Sequence, residues 1–105
     1  QDSDGNTALH YICSHKSQKK DVILFIVKTF LHHHIDVNIQ NNKGFTPLMY
    51  ACQNDNEDIA RLLINHQADI NAVNHNNQTA LMLAFLEPSR ETINLLIKKG
   101  ANLDI

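Results

Sequence analysis

The chain has 105 residues, 43% of them hydrophobic, and it carries nine basic and eleven acidic side chains, for a formal net charge of −2 at pH 7. This length and apolar content are typical of one small domain, and the charge provides no overall attraction to nucleic acid or to an anionic membrane. The longest apolar run, Val22 to Val27, is far shorter than the roughly 18 residues of a membrane-spanning helix, and residues 1–6 lack the character of a signal peptide. We therefore expect a soluble intracellular protein in a reducing compartment.

A short motif occurs three times along the chain. It begins as Thr7-Ala8-Leu9-His10 and recurs as Thr46-Pro47-Leu48-Met49 and Thr79-Ala80-Leu81-Met82, each time after a polar, turn-like segment. A second motif occupies 35–38, 68–71 and 101–104. Both motifs keep a constant interval, since 33 residues separate Thr46 from Thr79 and also Asp36 from Asp69. Such an interval is typical of stacked-repeat proteins.

Together the motifs resemble the ankyrin repeat, a unit of this length with the pattern Asp-x-x-Gly-x-Thr-Pro-Leu-His near its start and Gly-Ala-Asp-x-Asn near its end. The resemblance covers essentially the whole chain. It implies an all-α solenoid of stacked helix-turn-helix units with β-hairpin loops. We predict one domain, 1–105, with repeats at 2–40, 41–73 and 74–105. Helices this short are unstable alone in water, so the repeats must stack.

The first repeat is longer than the other two. Its spacing predicts about two extra residues between its helices and about four in or after its second helix. Because four residues add about one helical turn, the helix can lengthen while nearly keeping its buried face. We expect that face to contain Val22, Ile23, Ile26, Thr29 and Phe30.

Three adjacent histidines, His32, His33 and His34, follow on the last turn of this helix and just beyond it. Consecutive side chains there point in different directions, whereas zinc ligands are usually spaced about a turn apart. Imidazoles near a helix C-terminus complement the helix dipole. We therefore interpret the histidines as surface residues and predict no metal site, with adventitious metal binding as the alternative.

The second repeat contains the clearest local signals. Thr46 is predicted to cap its first helix and Pro47 to occupy the first helical position, where proline loses no hydrogen bond. The polar run 54–56 should end that helix. Apolar spacing of three and four predicts two buried faces, one with Leu48, Ala51 and Cys52 and the other with Ile59, Leu62 and Leu63.

The two cysteines, Cys13 and Cys52, both lie six residues after a motif threonine. Equivalent helices in a stack lie about 8 to 10 Å apart, whereas disulfide-bonded Cα atoms lie roughly 4.4 to 6.8 Å apart. We expect two buried, reduced thiols. Neither has a neighbouring base that would make it a nucleophile, and we predict that the protein is not an enzyme and needs no cofactor.

The third repeat has an almost wholly apolar first helix, Ala80 to Leu86. Terminal repeats normally carry a polar outer face. We therefore expect this C-terminal edge to be covered, either by further repeats of a longer array or by self-association or another partner.

The family resemblance implies that a protein or an extended peptide binds on the concave face, which is formed by the loop tips and the exposed side of the first helices. We predict contacts from Asn42, Lys43, Phe45, Tyr50, Gln53, Asn54, His75, Asn76 and Gln78. The equivalent positions elsewhere are Ser3, Asp4, Asn6, Ser14, His15, Leu86 and Glu87. The alternative function is a non-catalytic targeting or substrate-recruiting segment of a larger multidomain enzyme or effector.

Phe45 is the most informative of these residues, because an aromatic side chain on an exposed turn is unfavourable unless it packs on something. Two interpretations remain open: packing on a neighbouring loop, or anchoring a partner, since aromatic residues are enriched in interface hot spots. Tyr11 and Tyr50 share one repeat position with Leu83. Packing in the core is the favoured interpretation for that set.

The chain also offers one basic cluster, Lys16, Lys19 and Lys20. Such a cluster can bind phosphates, but Asp21 follows it directly and no aromatic side chain is interleaved to stack on bases. We therefore predict a solvated turn and no nucleic acid or membrane partner.

Several residues of the chain differ from the ankyrin-repeat pattern. Met49 and Met82 replace the motif histidine, so a threonine–histidine hydrogen bond is expected only between Thr7 and His10. Gln67 and His34 stand at the place of a helix-ending glycine, and Asn77 replaces a turn glycine, which asparagine tolerates better than most residues.

Two loop asparagines are candidates for modification. In this family the equivalent asparagine is often a target of asparaginyl hydroxylation, which points to Asn38 and Asn71. Leu63 lies eight residues before Asn71, as in many such sites, whereas Phe30 holds that place before Asn38. Asn71 is the better candidate, and a purely structural hydrogen bond in the turn is the alternative.

Overall fold

The computed structural model describes residues 4–14, 20–33, 35–85 and 90–101, which form six α-helices joined by turns. In chain order the helices are α1 (Ala8–Ser14), α2 (Lys20–His32), α3 (Pro47–Gln53), α4 (Glu57–Asn65), α5 (Ala80–Ala84) and α6 (Arg90–Lys98). The all-α prediction is confirmed. The expected β-hairpins are hydrogen-bonded turns, and no β-strand occurs within the described ranges.

The helices form two rows. In the inner row α1 packs on α3 and α3 packs on α5, while in the outer row α2 packs on α4 and α4 packs on α6. Each inner helix also packs on the outer helix that follows it. Three helix pairs therefore lie one on the next, as expected for a solenoid of repeats.

The motif threonines begin the inner helices. Thr46 has extended backbone angles, and its hydroxyl accepts a hydrogen bond from the Met49 backbone N–H at 3.2 Å. Thr79 caps α5 in the same way through Met82, at 3.3 Å. Pro47 occupies the start of α3, where its missing N–H has no helical partner to lose. These caps confirm the prediction made from the motif.

The short turns between inner and outer helices connect one pair to the next. The Asn56 side chain donates to the Cys13 carbonyl at 3.2 Å, which satisfies one of the orphan carbonyls at the end of α1. The buried Thr92 hydroxyl donates to the Asp55 carboxylate at 2.9 Å. Each bond joins residues of successive helix pairs.

The core lies between the two rows. The three motif leucines, Leu9, Leu48 and Leu81, are buried, as are Ala51 and Cys52 on the predicted face of α3. In α4, Ile59 and Leu63 are buried while Leu62 is partly buried. Burying a leucine side chain contributes roughly 1.5 to 3 kcal/mol.

α2 confirms the predicted extra turn but not all of the predicted buried face. It has 13 residues, whereas α4 and α6 have nine each. Val27 and Leu31 are its buried residues, and Ile23, Ile26 and Phe30 are partly buried. The prediction was wrong for Val22 and Thr29, which are exposed.

Comparison with the equivalent residue of α4 shows why Val22 is exposed. Counting from Asp21 and Asp58, Val22 corresponds to Ile59, which is buried in a helix that packs on α2. Within the described residues, no earlier helix packs on α2 in the same way. A hydrophobic side chain at this position therefore remains in contact with solvent in α2.

α5 is not the open apolar edge that its composition suggested. Ala80, Leu81, Leu83 and Ala84 are buried, so most of this helix faces α3 and α6. The exposed apolar side chain is Phe85, which follows the helix. Leu86 lies outside the described residues.

Cys13 and Cys52 are both fully buried with free thiols, which confirms their predicted burial. Burial raises the pKa of each thiol from its ordinary value of 9.0 to about 12, and at Cys13 the nearby Cys52 supplies a smaller part of this rise. The folded protein therefore keeps both thiols protonated at neutral pH.

We predict that the protein loses stability in alkali because of these thiols. The thiols ionise in the unfolded chain from about pH 9 but stay protonated in the folded protein until about pH 12, so the unfolded state binds fewer protons in this window. Each thiol then lowers the free energy of unfolding by up to about 1.4 kcal/mol per pH unit. Urea unfolding followed by circular dichroism measures the slope. A Cys13→Ala/Cys52→Ala protein that keeps the wild-type slope would contradict the assignment.

Candidate partner-binding surface

Three loop tips precede the inner helices: tip 1 (residues 4–6), tip 2 (residues 41–45) and tip 3 (residues 74–78). Tip 2 is organised by Asn41, whose side-chain oxygen accepts the backbone N–H groups of Lys43 at 3.0 Å and Phe45 at 2.9 Å. The Asn41 backbone N–H donates to the Phe45 carbonyl at 3.0 Å and closes the turn. Asparagine stabilises such turns by bonding to its own following backbone.

Tip 3 has the same construction around Asn74. Its side-chain oxygen accepts from the backbone N–H groups of Asn76 and Gln78, and its own N–H donates to the Gln78 carbonyl. Both asparagines are buried. We did not select them as functional residues from the sequence, although an Asp or Asn precedes each motif threonine by five positions, at Asp2, Asn41 and Asn74.

Successive tips are joined through the backbone. The Asn42 N–H donates to the Asp4 carbonyl at 2.8 Å, and the His75 N–H donates to the Lys43 carbonyl at 3.0 Å. These two bonds occupy equivalent positions. The tips therefore form a continuous ridge along one edge of the inner row.

Glycine permits this close approach. Gly5 and Gly44 have φ angles of +76° and +80°. A Cβ atom added at Gly44 would lie 2.8 Å from the His75 ring and 2.9 Å from its backbone nitrogen. Asn77 takes the equivalent place in tip 3 with a φ of +60°, and Gln67 has a φ of +76°, so the backbone is left-handed at these two positions where the family pattern has glycine.

The predicted contact residues divide into an exposed and a partly buried group. Asn42, Lys43, His75 and Asn76 are exposed on tips 2 and 3. The partly buried residues are Phe45, Tyr50, Gln53, Asn54 and Gln78. Asn54 caps the end of α3, and the Gln53 side-chain oxygen is buried without a hydrogen-bond partner among the described residues.

Phe45 and Tyr50 lie together. Their rings are stacked with centroids 4.8 Å apart and planes at 24°. The Tyr50 ring also meets the His10 ring edge-on, with centroids 5.9 Å apart. Such aromatic pairs contribute about 0.5 to 1.5 kcal/mol beyond burial. The Phe45 ring therefore has a packing partner within its own helix pair.

Asn41 ties this aromatic pair to tip 1. Its side-chain NH₂ donates one hydrogen bond to the Tyr50 hydroxyl at 2.9 Å and another to the Asn6 side-chain oxygen at 2.7 Å. Together with its two accepted bonds, these use the full hydrogen-bonding capacity of the amide. A buried amide that is fully satisfied favours one arrangement of the surrounding residues.

His10 makes the predicted bond to Thr7 and one that we did not predict. A backbone carbonyl can only accept, so the Nε2 atom, 2.9 Å from the Phe45 carbonyl, carries the proton. The Nδ1 atom then accepts from the Thr7 backbone N–H at 3.0 Å and lies 3.0 Å from the Thr7 hydroxyl. His10 thus links the first helix pair to the second by a hydrogen bond. The spacing of the motif predicts the bond to Thr7. The Phe45 carbonyl is 35 residues away in sequence, and only the stacking of the two helix pairs brings it to the His10 ring.

Asn38 and Asn71 lie in a second set of loops, after the outer helices. The Asn38 side chain accepts from the Asp69 N–H and donates to the Gln67 carbonyl at 3.3 Å. The Asn71 backbone N–H donates to the Asp69 carboxylate at 3.0 Å. Both asparagines are exposed, and the Asn38 amide joins two successive loops.

His32 and His33 lie at the end of α2, exposed, with ring centroids 5.9 Å apart. The part of the chain that the structure describes has no group of three or more histidine, cysteine, aspartate or glutamate side chains arranged to hold a metal ion. Several further candidates lie outside the described residues or have no described side chain: Ser3, Ser14, His15, Lys16, Lys19, Lys20, His34, Leu86 and Glu87.

Comparison with known proteins identifies the family. A protein-family model described as "Ankyrin repeats (3 copies)" matches residues 19–105. No curated protein matches the chain. The family match begins after α1, but α1 packs on α3 as α3 packs on α5. None of the described helices is both long enough and apolar enough to cross a membrane.

We predict that exchanging the motif histidine and methionine between helix pairs changes stability in opposite directions. His10→Met removes the bond to the Phe45 carbonyl and should lower the free energy of unfolding by about 1 to 3 kcal/mol. Met49→His should raise the free energy of unfolding by about 0.5 to 1.5 kcal/mol. The Gln78 carbonyl is the equivalent, one repeat later, of the Phe45 carbonyl and can accept the new bond. Urea unfolding measures both changes. A fall in stability for Met49→His would show that the carbonyl is not available to it.

Proposed function

Because the chain belongs to the ankyrin-repeat family, whose repeats generally serve as protein–protein interaction modules, we propose that it binds a protein or an extended peptide along the ridge of tips 2 and 3 and the adjoining ends of the inner helices. The observation that carries the proposal is the alignment of four exposed polar side chains, Asn42, Lys43, His75 and Asn76, on tips that backbone hydrogen bonds hold in register.

The tips are suited to a polar partner. Asparagine side chains both donate and accept hydrogen bonds, so Asn42 and Asn76 can pair with the backbone of an extended peptide. Lys43 is the one lysine on the described tips and favours an acidic side chain nearby. Because the turns are already fixed by Asn41 and Asn74, little conformational entropy is lost when a partner binds.

Phe45 and Tyr50 pack on each other at tip 2. Their rings are stacked and partly buried, and Phe45 is the last residue of tip 2. Recognition through shape and hydrogen bonds is consistent with the chemistry of the two cysteines, since a thiol with its pKa raised to about 12 is a poor nucleophile. We therefore propose a non-catalytic binding module.

A matched pair of variants tests this surface. The tip variant Asn42→Ala/Lys43→Ala/His75→Ala/Asn76→Ala keeps the backbone bonds between tips. The control replaces the same residue types at exposed positions on or next to the outer helices: Asn65→Ala/His66→Ala/Asn94→Ala/Lys98→Ala. Phe45 is left intact, because removing its ring would also disturb Tyr50.

We predict that peptides selected by the wild-type protein from a displayed random library bind the tip variant at least about tenfold more weakly, as expected when a central part of an interface is lost. The control variant should bind them as the wild type does. Isothermal titration calorimetry measures both affinities, and circular dichroism checks folding. Equal losses in the two variants, or an unchanged affinity in the tip variant, would refute this location.

We also propose that Asn71 is a substrate for asparaginyl hydroxylation and that Asn38 is a poorer one. The two asparagines differ in the residue eight positions upstream, which is Leu63 for Asn71, as in many such sites, and Phe30 for Asn38. Incubation with an asparaginyl hydroxylase should add one oxygen atom, which intact-mass spectrometry detects and fragmentation locates. An Asn71→Ala protein should gain much less oxygen, and only at Asn38. An unmodified wild-type mass, or oxygen found on Asn38 alone, would refute the proposal.

A further inference from the structure

The contact between tips 2 and 3 brings two basic residues together. The His75 backbone N–H donates to the Lys43 carbonyl at 3.0 Å, so the two residues adjoin each other across the contact. The His75 ring lies against the backbone of tip 2, since a Cβ atom added at Gly44 would be 2.8 Å from the Cδ2 atom of the ring. Both side chains are exposed. The fold therefore places a lysine and a histidine next to each other on the ridge.

Neither side chain is paired with an acidic residue. Tips 2 and 3 contain no aspartate or glutamate, and among the described residues neither the Lys43 amine nor the His75 ring makes a hydrogen bond or an ion pair. The backbone N–H groups of both tips are all used, either within a turn or between tips. A partner at this contact therefore meets two side-chain donors whose hydrogen-bonding capacity is unused.

The contact between tips 1 and 2 has the same backbone bond but a different charge. There the Asn42 N–H donates to the Asp4 carbonyl. Counting back from the motif threonines, Asp4 is the counterpart of Lys43, and Asn42 is the counterpart of His75. Because the backbone bond forms without a basic residue at either place, stacking of the repeats does not require the lysine and the histidine. Their side chains are available for recognition.

We propose that Lys43 and His75 form an anion subsite, which binds one anionic side chain of the partner. This inference rests on the proposed function and specifies the ligand: a carboxylate of aspartate or glutamate, or the phosphate of a phosphorylated side chain. The lysine ammonium supplies a positive charge, while the imidazole donates through a ring N–H and becomes positive when protonated. Hydrogen bonds from charged donors to an anion are stronger than those between neutral groups.

The charges of the tips also determine where along the ridge the anion binds. Asp4 is exposed on tip 1 and repels an anion, whereas Lys43 on tip 2 attracts one. At physiological salt such effects extend only about 8 Å, so each charge acts on its own part of the ridge. The acidic side chain of a bound peptide therefore lies between tips 2 and 3.

Peptides selected by the wild-type protein test the subsite. Replacing their aspartates and glutamates one at a time by asparagine or glutamine should reveal one position at which affinity falls at least about fivefold. Serine there should bind equally weakly. Phosphoserine there identifies the source of the anion: affinity as high as that of the acidic peptide admits phosphorylated partners, and affinity as low as that of serine restricts the subsite to carboxylates.

Selected peptides that contain no acidic residue, or that tolerate every neutral replacement, would overturn the subsite. The ridge itself would still stand if the tip variant described above lost affinity for those same peptides. The two proposals can therefore fail separately.

A pair of charge-removing variants locates the subsite. Lys43→Gln/His75→Gln should bind the acidic peptide at least about fivefold more weakly and its neutral derivative as the wild type does. The matched control is Lys28→Gln/His33→Gln, which removes the same residue types at exposed positions in and just after α2 and should leave both affinities unchanged. Circular dichroism checks folding. An unchanged affinity of Lys43→Gln/His75→Gln for the acidic peptide, or an equal loss for both peptides, would contradict the assignment.

The histidine also predicts a pH dependence. Lys43 is the charged residue on the facing tip, and the other residues of tip 3 are asparagine and glutamine, so His75 is the exposed group of these two tips that titrates near neutral pH. Lowering the pH from about 8 to about 6 leaves peptide carboxylates ionised and should tighten binding of the acidic peptide at least about twofold. Titration calorimetry at both values measures the change. A His75→Gln protein that keeps it would overturn the role of His75.

Discussion

The structure depends on the close backbone contact between one loop tip and the next. A backbone N–H to carbonyl bond joins each successive pair of tips, from Asn42 to Asp4 and from His75 to Lys43. Since both bonds lie at equivalent positions of the repeat, they hold equivalent residues in line along the array. Glycine at positions 5 and 44 is a condition of this contact, because a side chain there would separate the tips. The ridge and the helix stacking follow from the same approach.

The two junctions between successive helix pairs differ in their hydrogen bonds. At the first junction His10 bonds to the Phe45 carbonyl, and the Asn41 amide reaches both Asn6 and Tyr50. At the second junction Met49 takes the place of the histidine, and its sulfur accepts only a long bond from the Thr46 N–H at 3.5 Å. Sulfur is a weak acceptor. The first junction therefore has additional side-chain bonds around His10 and Asn41, whereas the second is joined by the Thr92–Asp55 bond and by the backbone bond between tips 2 and 3.

Local features of the sequence were sufficient for the caps, the turns and the core. Thr46 and Pro47 act within one helical turn of their own positions, and the left-handed backbone at Gln67 and Asn77 follows from the glycines they replace. The features that could not be predicted depend on neighbours distant in sequence. The stacking of Phe45 on Tyr50 requires knowledge of how tip 2 folds back on α3, and the exposure of Val22 depends on whether another helix covers α2. Composition alone could not distinguish α5, which is apolar and buried, from an exposed edge.

The loop tips and the helices have different roles: the tips present side chains to a partner, and the helices stack the repeats. Lys43 and His75 join tips 2 and 3 through their backbone atoms, so their exposed side chains can be exchanged while this bond is kept. Side chains between successive helix pairs, such as Cys52 and Leu83, are buried by the stack, so polar residues there would weaken the contact with the neighbouring repeat. Specificity for a partner can therefore vary on the ridge while the capacity to stack is kept in the helices.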